Sequence, residues 1–361
     1  MKTVKHRASA LPQKVRQAIG LDLGDKYSYW CHIDRDGEVL ANGRFRTNAD
    51  QLTRIFAKLP KTLVAIEAGT HSAWVERELK TLGHEVLVAN PRKLRAIHTN
   101  DRKNDRADAE ILARTARLDR KLLAPIRHRN AEMQADLAII RARDMLVRSR
   151  TQAINTARGL VKASGGRLPS CEAYAFAQKV ANHIPAELAA AVTPLLELIA
   201  HMTKQIRSYD DRIERLAHEK YPHTHLMDPI HGVAALTSTT YVLTLADPTR
   251  FKQSRSVGPY LGVVPRLDDS GDRRSQLRIT KAGNSLLRRL LVQSAHQILR
   301  RNAPDSDLRR FGLRIAERGG KNAKKRAVIA VARKLAVLMH RLWITGEVYQ
   351  PLRSTNLNQA A

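Results

Sequence analysis

The chain of 361 residues is poor in cysteine, in aromatic side chains, in acids relative to bases and in unbroken apolar runs. Its two cysteines, Cys31 and Cys171, lie far apart and neither belongs to a Cys-x-x-Cys pair, which leaves no support for a zinc site or a disulfide framework. Aromatics make up 4% of the residues, too few for base stacking to dominate any nucleic-acid contact. The most apolar stretch, Ala327 to Ile344, contains Arg333, Lys334, His340 and Arg341 and cannot span a bilayer as written. The N-terminus is basic but lacks the apolar centre of a signal peptide. The sequence therefore reads as cytoplasmic, with no membrane partner.

What is abundant is positive charge. Lys and Arg total 63 against 34 Asp and Glu, a net charge of +29. A solvated surface does not need that imbalance. Such a field attracts polyanions and gives salt-sensitive affinity for phosphate backbones. The hydrophobic fraction of 43% excludes a disordered chain, and the length suffices for two or three domains with a core.

Residues 1–16 read as a basic tail. Over 17–125 the pattern is α/β. QAIGLDL, SYWCHID and GEVLANGRFR form three strand-like runs, the last two parted by the turn signal RDG, and predict an antiparallel meander. A helix near 48–58, the strand TLVAIE, a helix near 73–82, the strand EVLVAN and a helix from about 106 to 118 follow, predicting a mixed sheet. Residues 126–222 are helical. Leu195, Ile199, Met202, Ile206, Tyr209, Ile213 and Leu216 alternate by four and three, a heptad seam. Leu137, Ile140, Val147, Ile154 and Val161 mark an earlier stripe, interrupted on its other seam position by Asp144, Thr151 and Arg158. Two such helices predict an antiparallel hairpin, an oligomer-forming coiled coil or a plain spacer. Residues 223–350 are basic and mainly helical, with a Gly/Pro/Asp-rich stretch VGPYLGVVPRLDDSGDRR and helices near 284–301 and 322–345. Residues 351–361 form a tail.

Asp22 and Glu67 each end an expected strand, where ligands collect in α/β sheets. Asp105 and Asp108 share a helix face at i and i+3. Four carboxylates so placed suit two hard divalent cations, an arrangement that stabilises both attacking and leaving oxygens in phosphoryl transfer. Each acid also has a plain reading: Asp22 as a turn residue, Glu67 as a surface acid, Asp105 as a helix N-cap. Asp101 and Glu110 stand close enough to replace a member of the helix pair.

The order AIGLDLG, LVAIEAG, LGHEVLVANPRKLRA and KNDRADAEILAR resembles the DEDD transposases of insertion sequences, whose N-terminal domain is similar to the RuvC junction resolvase and thus ribonuclease-H-like. The matching acids are Asp22, Glu67, Asp105 and Asp108. Where many members show Thr-Gly-x-Tyr after the glutamate, this chain has AGTHSAW, leaving the roles of Thr70, His71 and Trp74 open.

The resemblance continues through the C-terminal third. LMDPIHGVAALTSTTYV resembles the family's helix–hairpin–helix-like turn, with Ile230, His231, Gly232, Val233 and Ala234 in place of its usual Ile-Pro-Gly-Ile/Val-Gly. VGPYLGVVPRLDDSGDRRSQLRITKAGNSLLRRLLVQSA resembles its most diagnostic block. Ser270-Gly271, after Gly262 and Pro265, matches the family's nucleophilic serine, which forms a phosphoserine link to DNA. The plain reading of Ser270 is a turn residue in DDSGD, with Ser275 as a decoy. Arg273 and Arg274 flank it and suit bidentate phosphate binding. Lys281, Asn284, Arg288 and Arg289, around an expected helix start, and Lys321, Lys324, Lys325 and Arg326 in GGKNAKKR suit nucleic acid as well as they suit a solvated helix face.

The resemblance implies a nucleoid-associated recombinase that moves an insertion sequence, with a composite site of Mg²⁺-bound acids (two ions, Mn²⁺ able to substitute) and Ser270. It implies double-stranded DNA at element ends and target, a structured non-coding RNA guide, and a homodimer or homotetramer. Two rivals remain: a hydrolytic RuvC-like nuclease that uses water, with Ser270 structural, and a nucleic-acid-binding protein without catalysis.

Overall fold

The computed structural model describes residues 17–93, 104–270 and 273–353, with 268–270 and 273–276 described by their backbone alone. The chain divides into two compact units, residues 1–131 and 132–361.

The first unit is built on a five-stranded sheet in the order β3-β2-β1-β4-β5. Strands β1 (Ala18–Asp22), β2 (Tyr27–Ile33) and β3 (Val39–Arg46) form the antiparallel meander that alternation predicts. Its second turn is shaped by Asp34, whose Oδ1 accepts the amides of Asp36, Gly37 and Glu38, each at 2.8 Å. Gly37 supplies the positive φ of +95°. Strands β4 (Leu63–Glu67) and β5 (Glu85–Ala89) join parallel to β1, and helices α1 (Ala49–Phe56) and α2 (Ser72–Thr81) make the crossovers.

Period-two alternation divides the strands between two cores. Ile19, Leu21, Val64, Ile66 and Val88 face α1 and α2, meeting Leu52, Phe56, Val75 and Leu79. Ala18, Ala65, Leu87 and Ala89 face helix α3 (Asp105–Leu118), meeting Ala109, Leu112, Ala113 and Ala116. Each buried Leu, Ile or Phe contributes roughly 1.5–3 kcal/mol. The arrangement is consistent with a ribonuclease-H-like domain.

The second unit is helical. Helix α4 (Ala131–Ala163) and helix α6 (Ala189–Arg215) pack antiparallel, with the short α5 (Phe176–Val180) between them in sequence. Arg143 Nε donates to Asp210 Oδ1 at 2.6 Å, and Arg150 Nη1 donates to Thr203 Oγ1 at 3.2 Å, so the register runs in opposite directions along the two helices. Ile154, Ala157 and Val161 bury against Val192, Leu196, Ile199 and Met202. Much of the heptad seam is thus buried against α4 of the same chain, as the antiparallel hairpin that was one of the readings open to it. Arg158, one of the interruptions in the stripe, donates to the carbonyls of Leu168 and Pro169 and stacks on Phe176, tying down the loop at the hairpin tip.

The other end of this hairpin enters a larger core. Leu137, Ile140 and Ile213 cluster with helices α7 (Ala235–Leu245), α8 (Val257–Leu261), α9 (Ser285–Ile298) and α11 (Ala323–Thr345). Helix α10 (Asp307–Glu317) adds Leu308. Residues 132–361 form one compact unit, in which the base of the hairpin joins the core of the C-terminal helices while its tip keeps a core of its own. A π-turn, Leu216–Lys220, ends α6 beside a buried network in which Asp136 accepts from Tyr221 Oη at 2.6 Å and from Lys220 Nζ at 2.5 Å.

Among the described residues one helical stretch, 186–220, is long and apolar enough to cross a membrane. Ala327–Ile344, taken from the sequence as the most apolar run, is not that stretch. The apolar stripe of 186–220 packs on α4.

Candidate active site

The acidic edge is built by strand polarity. Leu21 pairs with Ile66 in parallel register, so Asp22 and Glu67, one residue further along each strand, emerge at the same carboxyl edge of the sheet. Alternation fixes their face. Gly20 and Ala65 lie on the α3 side, and Asp22 and Glu67, two residues on, share it.

Helix α3 brings the other two acids to that edge because of its direction. Near its C-terminus, Arg117 Nη1 donates to the carbonyl of Arg35 at 2.8 Å, in the β2–β3 turn at the opposite edge. The helix therefore runs antiparallel to β1, with its N-terminal residues Asp105 and Asp108 toward Asp22. The approach to β1 is at the limit of closeness: a Cβ on Gly20 would stand 1.9 Å from the carbonyl oxygen of Ala109 and 2.5 Å from the amide nitrogen of Ala113. Only glycine permits this approach. Asp108 is buried and Asp105 exposed.

Two of the alternatives for the helix acids have places in the fold. Asn104, not Asp105, caps α3, its side chain accepting from the Arg106 amide at 3.1 Å. Glu110 is held by Arg114 at 2.7 Å in an i, i+4 pair. Asp101 lies outside the described residues.

Carboxylates are the hard oxygen donors that Mg²⁺ or Mn²⁺ requires. Three of the four share one face and edge, and Asp22, Glu67 and Asp108 each already engage a partner within the fold. Among the described residues no three His, Cys, Asp or Glu side chains are drawn tightly enough to form a finished metal cage. The donor set suits a divalent cation in kind.

Sequence reasoning missed the groups that brace this edge. Ser72, fully buried, bonds both the amide and the carbonyl of Gly69, at 3.0 and 2.8 Å, and meets His128 Nε2 at 2.9 Å. These bonds pin the loop that leaves Glu67. Burial holds His128 below the ordinary histidine range. The residues left open in AGTHSAW also find places. Trp74 Nε1 donates to His71 Nδ1 at 3.1 Å. An indole nitrogen can only donate, so Nδ1 is an acceptor and the proton of a neutral His71 sits on Nε2. That nitrogen lies 3.7 Å from Asp25 Oδ1, beside the same edge.

In the second unit, the stretch containing Ser270 is a β-hairpin, where the sequence showed only Gly, Pro and Asp punctuation. Strands β6 (Pro265–Ser270) and β7 (Arg273–Ile279) pair antiparallel, with Ser270 opposite Arg273 and Asp269 opposite Arg274. Ser270 is thus the last residue of β6, and Gly271 and Asp272 lie outside the described residues. The hairpin base is fixed by close packing: Thr280 donates its amide to Val264, and a Cβ on Gly262 would stand 2.2 Å from the Ala282 amide nitrogen.

The basic residues expected to meet nucleic acid fall into two sets. Asn284 caps α9 through the Leu287 amide at 3.0 Å. Arg288 donates to the carbonyls of Leu261 and Ala282 at 2.9 and 2.6 Å, locking the hairpin base to α9. Arg289 pairs with Asp144 of α4 at 2.6 Å. Each of these three is engaged within the fold, Arg289 at the surface. Lys281, Lys321, Lys324, Lys325 and Arg326 are exposed, the last four around the start of α11, where no acid sits in the first turn. A helix start favours anions, so this concentration of cations opposes the helix dipole and leaves a positive surface. Nothing is described of the side chains of Arg273 and Arg274.

The chain is similar to known transposases along most of its length. A transposase family model of the DEDD type matches residues 19–164, and the model of the IS116/IS110/IS902 transposase family matches residues 224–310. The transposase of insertion element IS1328 from Yersinia enterocolitica is 30% identical over 78% of this chain and 84% of its own length. The transposase of IS1111A from Coxiella burnetii is 27% identical over 96% of each chain. A probable family 20 transposase of Pseudomonas aeruginosa is 28% identical over 92% of this chain and 98% of its own. The chain belongs to the IS116/IS110/IS902 family of insertion-sequence transposases, enzymes that cut and rejoin DNA.

Proposed function

We propose that the protein moves its element by a covalent route, in which Asp22, Glu67, Asp105 and Asp108 hold Mg²⁺ and Ser270 is the nucleophile. The observation that carries this reading is the delivery of Asp22, Glu67 and Asp108 to one edge and one face of the sheet by strand register and by the close approach at Gly20. When bound there, a divalent cation supplies Lewis-acid stabilisation of phosphoryl oxygens.

The chain's own residues supply the rest. The Ser270 hydroxyl attacks the phosphorus of a DNA phosphodiester. Its Oγ–P bond forms as the bond to a deoxyribose oxygen breaks. The serine proton is lost and the departing oxygen gains one, leaving a DNA hydroxyl end and a phosphoserine ester. Attack by another strand's hydroxyl reverses the step, so phosphodiester energy is conserved and rejoining needs no ATP. The hairpin suits the role, since a residue that ends its strand can meet a DNA backbone without moving a core. The register that sets Arg273 opposite Ser270 and Arg274 opposite Asp269 supports a role for this arginine pair at the phosphate.

The partners that follow are double-stranded DNA at element ends and target, a structured RNA from the element's flanks that supplies sequence reading, and a homodimer or homotetramer. The setting is the cytoplasm, at the nucleoid. The large basic excess supports polyanion binding of either kind. The test is strand cleavage of junction and target DNA with Mg²⁺ and flank-derived RNA. Asp22→Asn, Glu67→Gln, Asp108→Asn and Ser270→Ala each abolish it while leaving the melting temperature near that of the parent. Cleavage that persists in Ser270→Ala and needs only the acids would instead support a hydrolytic nuclease.

A further inference from the structure

The second unit carries a cavity of about 370 Å³ lined by His231, Gln297, Arg300, Arg301, Asn302 and Ala303. Two stretches of chain build it. One is the turn at His231–Gly232, where Gly232 has φ +82° and a Cβ would stand 2.9 Å from Gln297 Cβ and 3.0 Å from the Ser294 carbonyl oxygen. The turn therefore lies directly on the last turns of α9. The other stretch is the exit from α9, residues 299–303.

No carboxylate lines the cavity. The C-terminal end of a helix is ordinarily negative, through its free carbonyls. Just beyond the helix end, Arg309 Nη2 donates to the carbonyls of Arg300 and Arg301, at 3.5 and 3.1 Å, and brings a further positive charge to this exit. The Arg300 and Arg301 side chains, both exposed, leave the rim positive. Between the polar tips the wall is aliphatic: Ala303 and the stems of the long side chains.

A bare phosphate would not use such a wall, and a duplex would not enter it. One nucleotide turned out of its stack uses all of it. Its phosphate suits the guanidinium groups. Its base edge suits the amides of Gln297 and Asn302, each offering a donor and an acceptor. Its ring suits the aliphatic surface and a guanidinium plane. We propose that this cavity is a binding site for a single unstacked nucleotide of a nucleic-acid strand, with Arg300 and Arg301 on the phosphate and Gln297 and Asn302 on the base. The site rests on the reading of the protein as a nucleic-acid enzyme but not on Ser270 or the acids, and strand cleavage plays no part in its test.

The test is fluorescence anisotropy of the full chain with three labelled 20-nucleotide probes of one sequence: single-stranded RNA, single-stranded DNA and duplex DNA, over a range of salt. Ala303→Trp fills the cavity without changing charge, and Gln297→Leu removes the amide without changing charge. Both weaken single-strand binding by about tenfold, within the range of one base interaction, and leave duplex binding unchanged. Weakening on the RNA probe names RNA as the occupant, and weakening on single-stranded DNA names an unpaired DNA strand. Arg300→Ala with Arg301→Ala lowers the single-strand salt slope by about 0.7 for each phosphate no longer neutralised. Parent-like binding of all three probes by a folded Gln297→Leu, or equal weakening on all three, would overturn the site.

Discussion

Replacing Gly20 by alanine tests the joint on which the acidic edge depends. The new methyl would begin 1.9 Å from the Ala109 carbonyl oxygen, whereas real Cβ atoms stay beyond 3.0 Å of such neighbours. Strand and helix must part by roughly 1 Å or more, because the obstacle is backbone rather than a side chain that can swing away. Overpacking of a tight core costs about 1–3 kcal/mol, and a backbone clash lies at or above the top of that range. A misplacement of roughly 1 Å between reacting groups can cost about a hundredfold in rate. Gly20→Ala should therefore lower stability by about 3 kcal/mol and reduce cleavage at least a hundredfold, even well below its melting temperature. Thermal unfolding followed by tryptophan fluorescence, paired with a cleavage assay at about 20 °C below the variant's own midpoint, reads both effects. A variant as stable and as active as the parent would show that α3 does not meet β1 at Gly20, and the derivation of the acidic edge would fall with it.

Arg288 and Lys324 separate structural from surface charge. Arg288→Ala should destabilise by about 1.5–3 kcal/mol, because it abandons the carbonyls of Leu261 and Ala282, as urea unfolding would register. Lys324→Ala with Lys325→Ala should leave stability within about 0.5 kcal/mol and lower the duplex-DNA salt slope by about 0.9 for each phosphate left without its lysine. Asp136→Asn should cost about 1–3 kcal/mol in stability, since the Tyr221 hydroxyl loses a charged acceptor while half-exposed Lys220 keeps Glu132, and chemical denaturation would report it. Burial depresses both His32 and His128 below the ordinary histidine range. The unfolded chain then binds more protons than the folded one just below about pH 6.5, so their contribution is complete above about 6.5 and disappears as the pH falls through the folded values. His128→Gln should flatten the acid limb of a melting-temperature profile between about pH 7 and 5.

Much of the first unit was legible because its signals are local. Alternation gave the meander, and carboxylates at strand ends gave Asp22 and Glu67. The packing of Gly20 on Ala109 was not legible, since it joins residues far apart through the absence of a side chain. Nor was the brace of Ser72 and His128, whose only sign was two ordinary polar residues. In the second unit, the heptad alternation of α6 was visible but its partner was not, because an apolar seam does not say whether its cover comes from the same chain. The hairpin carrying Ser270 was hidden for a different reason. PRLDDSGDRRSQLRI is charged and nearly free of β-branched residues, so strand pairing rather than propensity makes it β. Arg288 carried the composition of a phosphate contact, yet a cation in sequence gives no hint that carbonyls of its own chain, those of Leu261 and Ala282, accept from it.

The most direct measurement is covalent trapping. The full chain is incubated with Mg²⁺, DNA spanning the element junction and target, and RNA transcribed from the element's flanks. Protein–DNA adducts are then isolated and the modified residue is mapped by mass spectrometry. A phosphodiester-linked nucleotide on Ser270, absent in Asp22→Asn and dependent on the RNA, is the predicted result. Strand breaks that form without an adduct and survive Ser270→Ala would contradict it.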